Sequence, residues 1–333
     1  MSNENRLCAV CGEPIGEGVN VCPKCSCKFP APVYFNSEAG HQSWLEHIRA
    51  YQNKYRLLRA DQFRRHRLML FPTQLCISGA DRKSTTVYSA YNAPRVLDGV
   101  VKCSVNSRHT AYLRADGTVY GEGANTVGQC DLKDLQSVRD VYAGANCTYV
   151  VDAQGSVIIR GDSPVDEAVK GWKGVKKIIG NKGRVVALTE EGNVLVADDI
   201  KQVQIDARDV VDIDTTYNYT IWLKKDGTVG CECKVNDPRN AVKDWKDIVM
   251  VGVENYYAVG LKKDGTVVYA GKTIPGIDMD RSKIARWKNV VAIACSNSGI
   301  LGVMADGSVE IVGNVENRHK IRDQFLQDLA QYW

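Results

Sequence analysis

One tetrapeptide recurs along this chain at intervals that imply a repeated unit. Asp-Gly-Thr-Val stands at 116–119, at 226–229 and at 264–267, with looser copies at Gln154–Val157, Glu191–Val194 and Asp306–Val309. An Asp-Gly pair between apolar runs signals a hairpin, because a type I′ turn needs positive φ and glycine supplies it without steric cost. Each glycine has an apolar β-branched partner upstream. Val100 and Gly117, Val138 and Gly155, Val175 and Gly192, Val210 and Gly227, Ile248 and Gly265, and Val290 and Gly307 are all 17 residues apart. From each glycine to the next unit's Val or Ile the spacing varies between 18 and 25 residues. A rigid module followed by an elastic loop, with a period of 35 to 42 residues, predicts propeller blades.

A degenerate unit precedes the six clear ones. Thr86-Val87-Tyr88 matches Thr118-Val119-Tyr120, which places Thr85 at the glycine position and Leu68 at its start. The stretch Gly79–Lys83 then replaces the tight turn, and the count becomes seven blades, with six as the alternative. Within a unit the pattern reads as three strands, such as Val138–Ala143, Cys147–Val151 and Ser156–Ile159. Trp172, Trp245 and Trp287 each precede a unit, with Leu135 and Leu97 in that place elsewhere, and are expected to plug the space between blades.

The run His109–Tyr120 followed by Gly123-Ala124-Asn125-Thr126-Val127-Gly128-Gln129 resembles the repeat of the regulator-of-chromosome-condensation family. That repeat has a His or aromatic strand entry, an apolar strand, Asp-Gly, a strand ending near Gly, then Asn and Gly-Gln. The resemblance covers residues 68 to 315, is good in the first clear unit and partial in the others, and around Gly192 the Gly-Gln loop is missing. It implies a seven-bladed propeller acting as a binding platform. Members include an exchange factor that binds a small GTPase and chromatin, and secreted bacterial β-lactamase inhibitors. Those activities live in loops, where this sequence differs most, so they are not carried over.

Outside the repeats, Cys8-x-x-Cys11 and Cys22-x-x-Cys25 flank ten residues. Two such turns present four thiolates to one tetrahedral zinc ion, a structural site with every position filled by protein. About 30 residues bury too little apolar surface to fold alone, so metal binding and folding are expected to be one event. Cys27 is a fifth thiol there, and Ser26 stands where the second knuckle usually has Gly.

From His41 to Arg67 no Gly or Pro occurs, and Trp44, Ile48, Tyr51, Tyr55 and Leu58 recur at helical steps. This predicted helix carries Arg49, Lys54, Arg56, Arg59, Arg64, Arg65 and Arg67 against Glu46 and Asp61, a local charge of +5. Those cations either form a solvated face or meet phosphates or an acidic partner. At the other end, Ile321, Phe325, Leu329 and Trp333 recur at steps of four and predict a second helix that docks on the first, as a structural clasp.

The expected architecture is therefore mainly β: a zinc ribbon over 1–33, a basic helix over 38–67, a propeller over 68–315 and a helix over 317–333. Net charge of +4 implies no global nucleic-acid field, and no apolar run reaches bilayer length. Met1–Asn5 lacks the order of a signal peptide, which favours a cytoplasmic home and reduced thiols. None of the five histidines sits in a nucleophile–base motif, and neither a phosphate loop nor a metalloprotease motif occurs. His109 reads as structural, and Cys231 with Cys233 as small apolar filling in preference to half of a second metal site. The functional expectation is a non-enzymatic protein-interaction module whose propeller loops bind a protein partner while ribbon and basic helix anchor. The alternatives are a nucleic-acid-binding protein using ribbon and helix, and a proteinaceous enzyme inhibitor.

Overall fold

The computed structural model describes residues 6–7, 14–15, 54, 56–61, 63, 67–71, 74–79, 83–181, 183–199, 203–216, 218–232, 236–272 and 281–329. The zinc-ligand candidates Cys8, Cys11, Cys22 and Cys25, with Cys27, Arg49, Arg64, Arg65, Cys233 and Trp333, lie outside the described residues. Strands β1 (Arg6–Leu7) and β2 (Pro14–Ile15) pair antiparallel, Arg6 opposite Ile15.

Seven antiparallel sheets follow, each with its strands in chain order. Blade 1 has four strands, β3 (Arg67–Phe71), β4 (Gln74–Ser78), β5 (Ser84–Ser89) and β6 (Arg95–Asp98). Blades 2 to 4 have three each: β7–β9 (Val100–Val105, His109–Arg114, Val119–Gly123), β10–β12 (Asp140–Ala143, Cys147–Val151, Val157–Gly161) and β13–β15 (Val175–Asn181, Arg184–Thr189, Val194–Asp198). Blades 5 to 7 are β16–β18 (Val210–Thr216, Tyr219–Lys224, Val229–Glu232), β19–β21 (Ile248–Val253, Tyr257–Lys262, Val267–Gly271) and β22–β24 (Val290–Ser296, Gly299–Met304, Val309–Gly313). First strands of blades 2 to 7 lie side by side in order, β22 returns to β3, and β7 lies against β4 and β5 of blade 1, so the sheets close a ring. Among the described residues the count is seven blades, not six.

Two sequence expectations change here. The Asp-Gly hairpins are not type I′. In blade 2 the Gly117 amide donates to Arg114 O at 3.0 Å and the Arg114 amide to Thr118 O at 2.9 Å, while Gly117 has φ +82° and Asp116 is not among the positive-φ residues. This is a three-residue loop, a type I turn ending in a glycine bulge. The Asp116 carboxylate accepts from the Thr118 amide and hydroxyl at 2.9 and 2.7 Å, a contact repeated at Asp226/Thr228, Asp264/Thr266 and Asp306/Ser308. The second change is in blade 1, where Leu68 pairs with Ile77, so the 17-residue frame does not extend to it. Its replacement turn is where expected, closed by the Gly79 amide on Ser84 O at 3.0 Å.

The conserved-length module has a second half that spacing alone hides. The amide of each blade's opening Val or Ile donates to the previous blade's turn glycine: Val138 to Gly117, Val175 to Gly155, Val210 to Gly192, Ile248 to Gly227 and Val290 to Gly265, at 2.9 to 3.1 Å. Just before the openers of blades 2 to 7, Gly99, Ser137, Gly174, Asp209, Asp247 and Asn289 all have φ between 55° and 73°. The elastic loops therefore leave and return to hydrogen-bonded points, and their length is free.

Two of the three tryptophan plugs are buried, while Trp172 is half-buried. Trp245 and Trp287 are buried, and a Cβ at Gly260 or Gly302 would come within 2.8 Å of the respective indole ring. Glycine is needed there for space, so that the indole can lie flat on the neighbouring strand.

The flanking helices join blades 7 and 1. Residues 56–61 are helical (α1), as are 54 and 63, and Arg56, Ala60 and Phe63 form its buried face. Leu58, expected on the apolar stripe, is 55% exposed. The buried face is thus turned from the one the aromatic spacing suggested, because the docking surface selects Phe63 and small Ala60. Arg67, expected to end this helix, instead opens β3 opposite Ser78. Between the blades lie two short helices, α2 (Asp166–Lys170) and α3 (Arg281–Arg286). The last helix, α4 (Arg318–Asp328), buries Ile321 and Phe325, with Leu329 just beyond it, as its four-step pattern predicts. Ala60, Phe63, Ile321, Phe325 and Leu329 belong to one core with residues of blades 1 and 7.

Candidate functional site

The ring's polar interior is built from two repeat positions. The first is the second-strand entry, eight residues before each turn glycine: His109, Cys147, Arg184, Tyr219, Tyr257 and Gly299. Arg184 is fully buried, bonded to Asp198 in its own blade at 2.8 Å and to Glu232 and Thr220 of the next at 2.5 and 2.9 Å. Tyr257 donates to Ser296 O of the next blade at 2.6 Å. His109 Nε2 meets the Thr148 hydroxyl at 2.9 Å, and that hydroxyl donates to Gln129 O at 2.8 Å. Thr148 must then accept from His109, which sets the neutral tautomer with its proton on Nε2. Burial lowers the His109 pKa in the same sense. With both residues buried, the pair is an inter-blade tie, which agrees with the structural role expected of His109. Gln129 of the Gly-Gln loop is buried too, its side chain accepting from the Val127 amide at 3.0 Å.

The second position is the third residue of each innermost strand, counting from its opener. There the blades carry Lys102, Asp140, Lys177 and Asp212, with Met250 and Ala292 after them. Lys102 bonds Asp140 at 2.5 Å and Lys177 bonds Asp212 at 2.6 Å, so alternating charges bridge consecutive blades. Asp140 also accepts from the Ile178 amide, and Asp214 from the Val253 amide at 2.7 Å. The sequence reading missed this series, although aligning the units on their opening Val or Ile displays it.

Toward one end of the innermost strands stand Asp214, Glu254 and Cys295. They are only part-buried, yet protein surrounds them closely enough to suppress charge. Desolvation raises Asp214 to about 6; desolvation and then Asp214 raise Glu254 to about 8; burial, Glu254 and Asp214 hold Cys295 well above the usual thiol range.

Beyond Glu254, the loops joining first to second strands form an exposed rim. Arg108 donates to Asn146 Oδ1 at 2.7 Å from blade 2 to blade 3, and Asn255 to Asn297 Oδ1 at 2.8 Å from blade 6 to blade 7. Tyr256 is 53% exposed. With Asn236, Asp237, Arg239, Asn255 and Lys272 it lines an open cavity of about 290 Å³. The cavity's base is braced: Arg239 pairs with Asp237 at 2.6 Å, donates to Glu254 O at 3.0 Å and lies 4.1 Å over the Tyr219 ring. Amides, a phenol and fixed cations suit hydrogen-bonded recognition of another surface.

The basic helix is only partly open. Arg56 is 4% exposed, its stem against the Gly265 turn of blade 6, so its side chain is committed to packing. Arg59 is half-buried and Lys54 exposed, while only the backbone of Arg67 is described. Cys231 is buried, its thiol donating to Asn240 Oδ1 at 3.5 Å. Among the described residues no group of three or more His, Cys, Asp or Glu side chains could hold a metal ion.

No protein-family model and no curated protein matches the chain. Solved propellers do. Human WBSCR16 is 13% identical with a TM-score of 0.52, over 68% of this chain and 80% of that one. The CRINKLY WD40 ectodomain of the Arabidopsis thaliana receptor kinase ACR4 is 13% identical with a TM-score of 0.50, over 75% and 95%. Prp20p of Saccharomyces cerevisiae, the yeast RCC1, is 9% identical with a TM-score of 0.48, over 79% and 85%. At such identities the likeness is one of fold.

Proposed function

We propose that this chain is a non-enzymatic protein-interaction module that grips a protein partner with the rim of loops at one end of its propeller. The observation that carries the reading is the exposed cluster of Asn255, Tyr256 and Asn297, braced from beneath by buried Arg239. Exposed aromatics over a rigid base supply contact area at low entropic cost. The N-terminal segment is the second anchor. Cys8, Cys11, Cys22 and Cys25 would hold one structural zinc, and the pairing of Arg6–Leu7 with Pro14–Ile15 supports this by drawing together the ends of the stretch that carries Cys8 and Cys11. The test is affinity capture from the source cell with the intact protein and with Tyr256→Ala/Arg108→Glu. A protein bound stoichiometrically by the first and lost from the second supports the reading; capture indifferent to these substitutions refutes it. A single tight enzyme partner would mean the inhibitor form of the same function.

A second reading, nucleic-acid binding, is favoured by one placement. Arg56 seats the basic helix at the blade 6 turn, whose Lys263 is exposed and Lys262 part-exposed, so cations of helix and blade share one face. Fluorescence anisotropy with single-stranded and duplex DNA and RNA across a salt series decides it. Binding that weakens steeply with salt and is lost in Arg64→Glu/Arg65→Glu supports this reading, and absence of binding at low salt removes it.

A further inference from the structure

Cys76 and Cys103 sit on facing strands of different blades, β4 and β7. The Ser78 hydroxyl donates to Val101 O across the blade 1–blade 2 boundary at 2.9 Å, and Thr85 donates to Val100 O at 2.8 Å. Alternate residues of a strand share a face. Two residues back from Ser78 is Cys76, and two residues on from Val101 is Cys103, so that register carries the two thiols toward one another. Both line an open cavity of about 390 Å³ between the blades, with Gln74, Arg95, Thr110 and Tyr112. Their side chains are 1% and 2% exposed, which makes them its floor. A hydrogen bond toward Cys103, then burial, keeps Cys76 protonated well above the ordinary thiol range, while the Arg95 cation acts in the opposite sense.

We propose that Cys76 and Cys103 are a peroxide-oxidisable pair, forming a disulfide that ties blade 1 to blade 2. The Cys103 sulfur, its proton given up, attacks a peroxide oxygen that has entered the cavity, and Cys76 is the resolving thiol. An S–O bond forms, the O–O bond breaks, and the departing hydroxide takes a proton to become water. The Cys76 sulfur then attacks the Cys103 sulfenic acid: the S–S bond forms, the S–O bond breaks, and the released hydroxide takes the Cys76 proton. Two thiols lose two electrons and one peroxide becomes two waters. Sulfurs already facing one another need little backbone movement to reach bonding distance. The location is mechanically useful, since blade 1 lacks the Asp-Gly turn and, among the described residues, the Val100 amide makes no inter-blade hydrogen bond of the kind the later openers make to a turn glycine.

The experiment uses the full chain. Protein is treated with hydrogen peroxide, alkylated under denaturing conditions and mapped by mass spectrometry without reduction. The expected result is a Cys76–Cys103 linked peptide in monomeric protein, reversed by dithiothreitol, with a melting temperature several degrees higher in the oxidised form. Cys103→Ala should abolish both the link and the shift; Cys76→Ala, if it folds, should leave a trappable sulfenic acid on Cys103. If both thiols remain fully alkylatable after peroxide, or either one links to a different cysteine, the proposal is overturned.

Discussion

The Tyr88 hydroxyl donates to the Asp328 carboxylate at 3.0 Å across 240 residues of chain. Phe325 packs on the same ring at 5.4 Å between centroids, Asn317 donates to Ala90 O and Gln324 to Asn92 O. Every blade is built from consecutive strands, so no strand is shared across the join of blades 7 and 1. The last helix does that work instead, carrying the end of blade 7 onto the third strand of blade 1.

Phe325→Ala should therefore cost about 3–5 kcal/mol, the usual loss for emptying a fully buried aromatic site. Equilibrium unfolding in urea checks it. Tyr88→Phe, which keeps the ring and removes the hydroxyl, should cost about 1 kcal/mol. If the two are equally mild, the helix is not the clasp.

Arg184→Met should destabilise by about 3–5 kcal/mol, because it leaves Asp198 and Glu232 facing one another without their cation. The triple replacement with Asp198→Asn and Glu232→Gln should recover much of that loss. Thermal melts of the single and triple variants measure the difference.

The raised pKa of Glu254, about 8, means the folded state holds a proton that the unfolded state gives up near the ordinary carboxylate pKa. The contribution is fully present below the unfolded pKa and is lost as pH rises through about 8; for Asp214 it is lost as pH rises through about 6. Lys177 and Asp212 act on Asp214 in opposite directions, and Cys295 stays neutral beside it. Glu254→Gln should leave stability unchanged well below pH 4.5, the ordinary glutamate value, and raise the melting temperature by a few degrees at pH 9.

His109 contributes the opposite slope. Its lowered pKa means that the unfolded state binds the proton first, so stability is present above the unfolded histidine pKa and falls as pH drops below it. His109→Gln, which can still donate to Thr148, should flatten the stability profile below pH 6.5, the ordinary histidine value. An unchanged acid limb would contradict the neutral tautomer.

Chelation separates the N-terminal segment from the ring. One zinc per chain is expected by elemental analysis, and its loss with a strong chelator or in Cys22→Ser should expose the first residues to protease while the propeller's melting transition remains. Loss of both together would show that the ring leans on the metal segment.

What the sequence determined was local. A glycine bulge, an Asx contact two residues long and a three-strand module need only neighbouring residues, so spacing revealed the blades, their turns and the buried face of α4. Even the inter-blade ladder left a trace, in the Gly, Asp and Asn residues that precede the openers. The tertiary structure decided everything that depends on which surfaces meet. It turned α1 so that Arg56, Ala60 and Phe63 are buried in place of Leu58, because the surface it docks on, not helical periodicity, selects the face. It also gathered Lys102 with Asp140, Lys177 with Asp212 and Cys76 with Cys103, partners in different sheets that no short window of sequence contains. Such pairs are set by how twisted sheets stack around a common axis, and that stacking is a property of the closed ring.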